Sequence, residues 1–265
     1  MNILEKIIAY KKEVVEEQKK VIGLSLDELK VECEKKPPII SFEQRLKSNC
    51  QNNKVSLIAE VKKASPSKGI IREDFNPLEI ALDYEKAGAD AISVLTDEKF
   101  FQGSIDYLLE IKKYINIPVL RKDFIVDPFQ VYHSRLLGAD MILLIVSALE
   151  SKELRELYKI ATDIGLEVLV ETHDKQEFDI AYELGAKIIG INNRNLKTFE
   201  LSLNNTVDII KDRAIENRFI ISESGIFTNE DITYLQNYKV SGILVGESLM
   251  RQDNIYNSVK KLMNK

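Results

Sequence analysis

Residues 57–69 read LIAEVKKASPSKG, an apolar run that leads into charged residues and then into a turn. Side chains two positions apart project to the same face of a β-strand, so Glu60 and Lys62 share one face. The sequence SPSKG at residues 65–69 then stops the strand and begins a loop. This stretch therefore places an acid and a base at the C-terminal end of a predicted strand.

The same pattern recurs along the chain, where short β-rich runs alternate with amphipathic stretches of helical length. The predicted strands are residues 55–62, 90–96, 118–124, 141–147, 167–172, 187–193, 218–224 and 242–248. Turns of similar sequence, AGAD, LGAD and LGAK, precede the second, fourth and sixth strands, with glycine where a helix would end. Strict alternation predicts a parallel sheet covered by helices, and eight units favour a (β/α)8 TIM barrel over a doubly wound open sheet.

The residues before the first strand have a helical pattern. Residues 1–23 form an amphipathic stretch whose many charges we interpret as a solvated face, and a capping-box spacing begins at Ser25. We therefore predict one α/β domain over residues 1–265, with an N-terminal helical extension at 1–54 and eight β/α units at 55–265.

Composition limits the possible functions. With 265 residues, of which 45% are hydrophobic, the chain can bury a large core, and its net charge of −5 argues against nucleic-acid binding. Neither a membrane span nor a signal peptide is indicated, so we expect a cytoplasmic protein. Cys33 and Cys50 have no ligand-like spacing to each other or to His133 and His173, so no disulfide and no metal site is predicted.

Reactive residues of a barrel collect at the C-terminal ends of its strands. The polar residues at predicted strand ends are Glu60, Lys62, Lys122, Glu171, Asn192 and Arg194. Any one of them is typical of a strand that emerges into water, but their convergence on one rim predicts a polar active site.

The last two predicted strands end in glycine-containing turns. SESGI at residues 222–226 and LVGES at 244–248 place Gly225 and Gly246 just after apolar runs. Loops after strands seven and eight of a barrel often bind phosphate through backbone N–H groups. The pair of glycines therefore favours a phosphorylated small-molecule substrate.

The motifs IAEVKKASPSKG, AISVLTDEKFFQGS, VLRKDFIVDP, GINNRNLKTFE, ISESGI and LVGESLM occur in this order. Together with the N-terminal ILEKI, they resemble the indole-3-glycerol-phosphate synthase family of tryptophan biosynthesis along nearly the whole chain. The resemblance implies a TIM barrel and a cofactor-free, metal-free reaction that closes an indole ring with loss of carbon dioxide and water. The substrate it implies is 1-(2-carboxyphenylamino)-1-deoxyribulose 5-phosphate, and the product is indole-3-glycerol phosphate.

The resemblance also implies roles for individual residues. Lys122 matches the family's general acid, and Lys62 matches the lysine that engages the substrate carboxylate and is a candidate for later proton transfer. Glu171 matches a glutamate that acts as general base or stabilises positive charge, while Glu60 matches one that orients the site.

Asn192 completes the catalytic set that the resemblance implies, and Arg194 is the first of its substrate-binding residues. The two match groups that orient the ribulose hydroxyls and the charged network. The phosphate site is implied at Ser65, Ser224, Gly225 and Gly246, and the apolar pocket for the anthranilate ring at Pro66, Phe101, Phe124 and Leu143. Glu247 stands where some members have a small hydroxyl residue, so phosphate contact is expected there from the backbone only.

Other functions remain open from the sequence. Phosphoribosylanthranilate isomerase, another phosphate-binding barrel, would need a Cys and Asp pair at strand ends, whereas both cysteines precede the first strand. A Schiff-base lyase could use Lys62 or Lys122 as nucleophile. A non-catalytic barrel would bind a ligand without turnover, and as partners we expect no nucleic acid, no membrane and at most a weak homo-oligomer.

Overall fold

The computed structural model describes residues 3–195, 198–213 and 215–264. Within these ranges, eight parallel strands close into a barrel in which each strand pairs with its neighbours along the chain. They are β1 (Ser56–Val61), β2 (Ala91–Leu95), β3 (Val119–Lys122), β4 (Met141–Ile145), β5 (Glu167–Thr172), β6 (Ile188–Asn192), β7 (Phe219–Glu223) and β8 (Gly242–Val245). Because β1 pairs with β8 from Ser56 opposite Gly242, the sheet is closed. The prediction of a TIM barrel is confirmed, and the open sheet is excluded.

Helices alternate with these strands and also precede them. In the described ranges they are α1 (Ile3–Ile22), α2 (Leu26–Glu34), α3 (Phe42–Gln51), α4 (Pro77–Ala87), α5 (Glu98–Phe101), α6 (Ile105–Tyr114), α7 (Pro128–Leu136), α8 (Ser151–Asp163), α9 (Lys175–Leu184), α10 (Asn204–Ile210), α11 (Asn229–Gln236), α12 (Glu247–Met250) and α13 (Ile255–Met263). Gly88 and Gly185 end α4 and α9 in the left-handed conformation, as the AGAD and LGAK turns predict. None of the helices described is long and apolar enough to cross a membrane.

The barrel interior explains how the strands deliver charged residues to one end. On β1, β3, β5 and β7, residues of the interior apolar cluster are Ile58, Leu120, Leu169 and Ile221. Two positions later, on the same strand faces, stand Glu60, Lys122, Glu171 and Glu223. Alternate strands of a TIM barrel contribute side chains to the same layer. These four residues therefore form a charged layer directly above an apolar one, toward the C-terminal ends of the strands.

The opposite end of the barrel is closed by α3. Phe42 and Leu46 on this helix are fully buried in the interior cluster. The carboxylate of Glu167, at the start of β5, accepts a hydrogen bond of 2.9 Å from the N–H of Phe42. A carboxylate at a helix N-terminus satisfies N–H groups that lack partners within the helix. Helix α3 thus covers one end of the interior, and the charged layer lies at the other.

Helix α1 is fixed by a buried lysine. The Nζ of Lys11 lies 2.8 Å from Oδ2 of Asp97 and 2.7 Å from Oδ1 of Asp123. Arg121 contacts the other oxygen of Asp123 at 2.9 Å. Our interpretation of the charges on this helix as a solvated face is therefore wrong for Lys11, because its acidic partners come from the segments that follow β2 and β3.

Candidate active site

A cavity lies above the charged layer and collects most of the residues singled out from the sequence. These residues are Glu60, Lys62, Ser65, Pro66, Phe101, Lys122, Phe124, Leu143, Glu171, Asn192, Arg194 and Ser224. Gly225 and Gly246 instead line a smaller cleft that adjoins the cavity and shares Lys62, Arg194 and Ser224 with it. Ser65, which we expected near the phosphate, lines the cavity and not this cleft.

Lys122 occupies the centre of the charged layer. Its Nζ lies 3.7 Å from Glu60, 3.6 Å from Glu171 and 3.7 Å from Glu223, all measured to carboxylate oxygens. Burial alone would lower the pKa of this lysine, but the surrounding carboxylates, with Glu171 first, raise it above its ordinary value. Lys122 is therefore a charged ammonium group that borders an open cavity.

Glu223 is a site residue that our sequence reasoning did not select. Its side chain is almost fully buried, and its Oε1 has no hydrogen-bond partner among the described residues. Burial and the nearby carboxylate of Glu171 raise the pKa of Glu223 to about 8. A Cβ on Gly190 of β6 would collide with this carboxyl group, so glycine makes room for it. The signal in the sequence was the alternation in IISE, which repeats that of LIAE in β1.

Glu60 and Lys62, which the strand pattern places on one face, form an ion pair. Their closest oxygen and nitrogen lie 2.7 Å apart. Burial alone would raise the pKa of Glu60, but the charges of Lys62 and then Lys122 lower it below its ordinary value. A Cβ at Gly246 would collide with the Glu60 carboxylate, so this glycine leaves room for the acid as well as lining the cleft.

Glu171 is held by neighbours on two sides. Asn192 donates a hydrogen bond of 3.2 Å to its Oε1, and Nε2 of His173 lies 3.2 Å from the same oxygen. Burial alone would raise the pKa of Glu171, but Lys122 and His173 lower it far below its ordinary value. Sequence reasoning did not select His173, although its spacing from Glu177 in HDKQE is that of a side-chain pair one helical turn apart.

Arg194 connects the cavity to the cleft. Its backbone N–H donates to Oδ1 of Asn192 at 3.0 Å, and its guanidinium group lies 3.4 Å from Glu247. Arg251 contacts the other oxygen of Glu247 at 3.1 Å. The acid next to the cleft is therefore paired with two arginines, which offset the repulsion that it would exert on a bound anion.

The remaining walls of the cavity are apolar. The rings of Phe101 and Phe124 lie 6.1 Å apart between centroids and are tilted by 36°, and Leu143 lies in the interior cluster. Ile3, Leu4 and Ile7 from α1 also line the cavity. One part of the cavity is thus suited to an aromatic ring, while another presents charged groups.

The cleft is bordered by an unusual stretch of backbone. Ser224 and Gly225 both have positive φ, of 67° and 76°, and the carbonyl of Ser224 accepts a hydrogen bond of 3.0 Å from Asn193. Left-handed conformation is strained for serine and unstrained for glycine. The turn after β7 is therefore held in one shape beside Gly246 and the end of β8.

A scan against family models matches residues 4–262 to the model described as indole-3-glycerol phosphate synthase. The chain belongs to the indole-3-glycerol phosphate synthase family. A protein of this name from Alkaliphilus metalliredigens is 48% identical over 260 residues, covering 98% of this chain and 97% of its own length. Another from Thermoanaerobacter pseudethanolicus is 48% identical over 251 residues, covering 94% and 92% of the two chains. The family resemblance found in the sequence is confirmed.

Solved structures of other proteins share the fold. A 3-hexulose-6-phosphate synthase aligns with a TM-score of 0.63 at 16% identity, covering 79% of this chain and 99% of its own. A thiamine phosphate pyrophosphorylase from Pyrococcus furiosus aligns with a TM-score of 0.59 at 14% identity, covering 82% and 96%. At such low identity, these similarities support the barrel alone.

The cysteines lie outside the cavity of this family member. Cys33 is buried, with its thiol 3.4 Å from the carbonyl of Tyr132, and Cys50 is exposed on α3. Among the described residues, no group of three or more His, Cys, Asp or Glu side chains could hold a metal ion. A Cys and Asp pair for isomerase chemistry therefore has no counterpart among the residues that line this cavity.

Proposed function

We propose that this chain converts 1-(2-carboxyphenylamino)-1-deoxyribulose 5-phosphate to indole-3-glycerol phosphate, with release of carbon dioxide and water, in tryptophan biosynthesis. The observation that carries the proposal is the convergence of Lys62, Lys122 and Glu171 on one cavity in a chain of this family. The cavity offers an apolar wall for a ring and charged groups for proton transfer. Both are needed to close an indole ring at neutral pH.

Lys122 acts as the general acid of ring closure. When the ring carbon that carries the carboxylate attacks the ketone, negative charge develops on the ketone oxygen and must be neutralised by a proton. An ammonium group inside a ring of carboxylates, none closer than 3.6 Å, is charged and has N–H groups to offer to that oxygen. Loss of carbon dioxide then restores the aromatic ring.

Lys62 binds the carboxylate of the substrate. Its ammonium group contacts Glu60 and lines both the cavity and the cleft. Binding of the substrate carboxylate to this lysine would place the ring carbon that carries it close to the ketone carbon that it attacks. Glu60 keeps Lys62 oriented before the substrate arrives.

Glu171 is the base that removes a carbon-bound proton during the loss of water, and Lys62, which the departed carboxylate has freed, donates the proton with which the hydroxyl group leaves. The carboxylate of Glu171 is ionised, and Asn192 fixes one of its oxygens while the other faces Lys122. Ring closure followed by dehydration requires a protonated acid next to an ionised base, and Lys122 and Glu171 are proposed for these two roles.

The anthranilate ring packs between Phe101, Phe124, Leu143 and Pro66, which line the cavity. The phosphate occupies the adjoining cleft, where backbone N–H groups at Ser224, Gly225 and Gly246 bind it and Ser65 reaches the substrate from the cavity side. Phosphate is a strong acceptor that suits backbone donors in turns. The pairing of Glu247 with two arginines supports this location.

The Schiff-base alternative requires a neutral lysine as nucleophile. The carboxylates around Lys122 raise its pKa, which disfavours that role. We also propose that the enzyme works in the cytoplasm without a cofactor, as a monomer or weak homo-oligomer.

The test is to add the carboxyphenylamino-deoxyribulose phosphate to purified protein and to follow indole fluorescence, with EDTA present and without metal or nucleotide. We expect turnover that EDTA does not change, and no adduct after treatment with borohydride. Folded protein that does not turn over this substrate would refute the proposal. A trapped lysine adduct would instead support the lyase alternative.

A further inference from the structure

His173 follows β5 and lies between two carboxylates. Its Nε2 is 3.2 Å from Oε1 of Glu171, and its Nδ1 is 3.0 Å from Oε2 of Glu177 in the first turn of α9. Only 12% of the side chain is exposed. The contact of Nδ1 with Glu177 is a hydrogen bond, whereas Nε2 lies within ion-pair distance of Glu171 and has no hydrogen-bond partner among the described residues. An imidazole ring between two carboxylates is most stable as a cation.

The other elements around His173 place few basic groups near its ring. Ser147, after β4, approaches Nδ1 at 3.5 Å, and Asn205 on α10 donates to the His173 carbonyl. Arg194 lines the same cavity, while Asp174 and Glu200 share the wall of the neighbouring groove. Among the described residues, the charged groups within ion-pair distance of the ring are therefore both acids.

The three carboxylates around Lys122 differ in whether another basic side chain also contacts them. Glu60 has Lys62 at 2.7 Å, and Glu171 has His173, whereas Glu223 has no second basic partner within the described residues. In the proposed reaction the substrate carboxylate competes with Glu60 for Lys62. The support that His173 gives to Glu171 stays in place, because the ring is held from α9.

We propose that His173 is a positioning residue that stays positively charged, holds Glu171 ionised with Oε2 toward Lys122, and leaves Glu223 as the carboxyl group that holds a proton. The assignment of Glu171 as base rests on the proposed function. The directions of the pKa values agree with this geometry. Burial alone would lower the pKa of His173, but its contacts with Glu171 and Glu177 raise it to about 10. Glu171 is shifted down and Glu223 up.

The charge of His173 can be measured without substrate. The chain has two histidines, and burial followed by the charge of Arg121 lowers the pKa of His133 to about 4. In ¹⁵N NMR spectra of the free protein at pH 8, we expect one charged imidazole, absent from His173→Gln, and one neutral imidazole. A neutral His173 at pH 8 would overturn the proposal whether or not the protein is active.

Two substitutions separate charge from orientation. His173→Gln keeps a neutral donor near Glu171, whereas His173→Phe keeps only the size of the ring. We expect the acidic limb of the kcat/KM profile to move up by about one pH unit or more in both, since Glu171 loses a cation. On the plateau, kcat should stay within about threefold of the parent for Gln and fall about tenfold or more for Phe.

Glu177→Gln is the matched control, because the amide oxygen can still accept from Nδ1 and hold the ring beside Glu171, while the charge of the outer acid is removed. It should move the acidic limb in the same direction by a smaller amount. Unmoved profiles in active His173 variants would overturn the proposal and leave the function standing. A parent protein without turnover would overturn both.

Discussion

Lys11 and Lys122 are both buried among carboxylates, yet their surroundings differ. Lys11 contacts Asp97 and Asp123 at 2.8 and 2.7 Å, whereas the nearest carboxylate oxygens to Lys122 lie 3.6 to 3.7 Å away. The short ion pairs of Lys11 fasten α1 to the barrel. The wider ring keeps Lys122 charged while leaving its N–H groups for another acceptor. We infer that the first lysine stabilises the fold and that the second carries out the chemistry.

The largest effect should come from Lys122→Met. Loss of a general acid should lower kcat by roughly 10²- to 10⁴-fold. A product analogue should still bind within about tenfold of the parent, or roughly 1.4 kcal/mol, because the apolar wall and the cleft are formed by other segments. Steady-state kinetics and titration calorimetry measure the two quantities. A variant with near-parental kcat would remove Lys122 from this role.

Lys11→Met should affect stability more than turnover. Removing one partner of a buried ion pair leaves Asp97 and part of Asp123 uncompensated, which should cost about 3 to 5 kcal/mol. Where the variant is folded, kcat should stay within about tenfold of the parent. The control is Lys12→Met, which changes an exposed neighbour on α1. Denaturant unfolding of both variants gives the comparison, and equal stability would show that the anchor contributes little.

Lys62→Met should raise KM as well as lower kcat. The substrate carboxylate carries its charge in the ground state, so the lost contact weakens binding before the reaction begins. We expect KM to rise by roughly tenfold, equivalent to about 1.4 kcal/mol. Initial rates over a wide range of substrate concentration would test this. A change in kcat alone would mean that Lys62 acts only in the transition state.

We expect the smallest effect for Glu223→Gln, which should change the pH dependence of thermal stability. Glu223 keeps its proton in the folded protein, whereas in the unfolded chain it loses the proton near the ordinary pKa of glutamate. The stability of the parent protein therefore falls as the pH rises from that ordinary pKa toward about 8. A neutral amide removes that penalty. Thermal melts of the variant between pH 5 and 8 should therefore decline less than those of the parent. An equal or steeper decline would show that Glu223 does not keep its proton in the folded state.

The sequence predicted the barrel and most of the cavity because both follow local rules. Period-two alternation placed Glu60, Lys122 and Glu171 at strand ends, and barrel closure brings strand ends together. The same rule predicts Glu223 in IISE at a strand end, but we interpreted this stretch only as a glycine-containing turn that binds phosphate through its backbone. We likewise interpreted Gly246 only as part of a phosphate site. In the structure its lack of a Cβ also makes room for the carboxylate of Glu60.

Other features depend on partners far away in the chain. Nothing near Lys11 indicates burial, since Asp97 and Asp123 follow it by many residues and meet it only when α1 docks. The role of His173 similarly requires α9 to bring Glu177 back toward β5. The periodicity of a helix gives no information about ion pairs with distant parts of the chain. Charged residues on an amphipathic helix are therefore predicted to face solvent until the tertiary structure is known.

The most direct measurement restores an amine at position 122. In a Cys50→Ser background, Lys122→Cys can be alkylated with 2-bromoethylamine, while Cys33 is protected because burial raises its pKa to about 11. We predict that the unmodified variant has lost nearly all turnover and that alkylation recovers at least about a tenth of the parental kcat. Complete alkylation of a folded variant without recovery, or parental turnover before alkylation, would contradict the role of Lys122 as the acid.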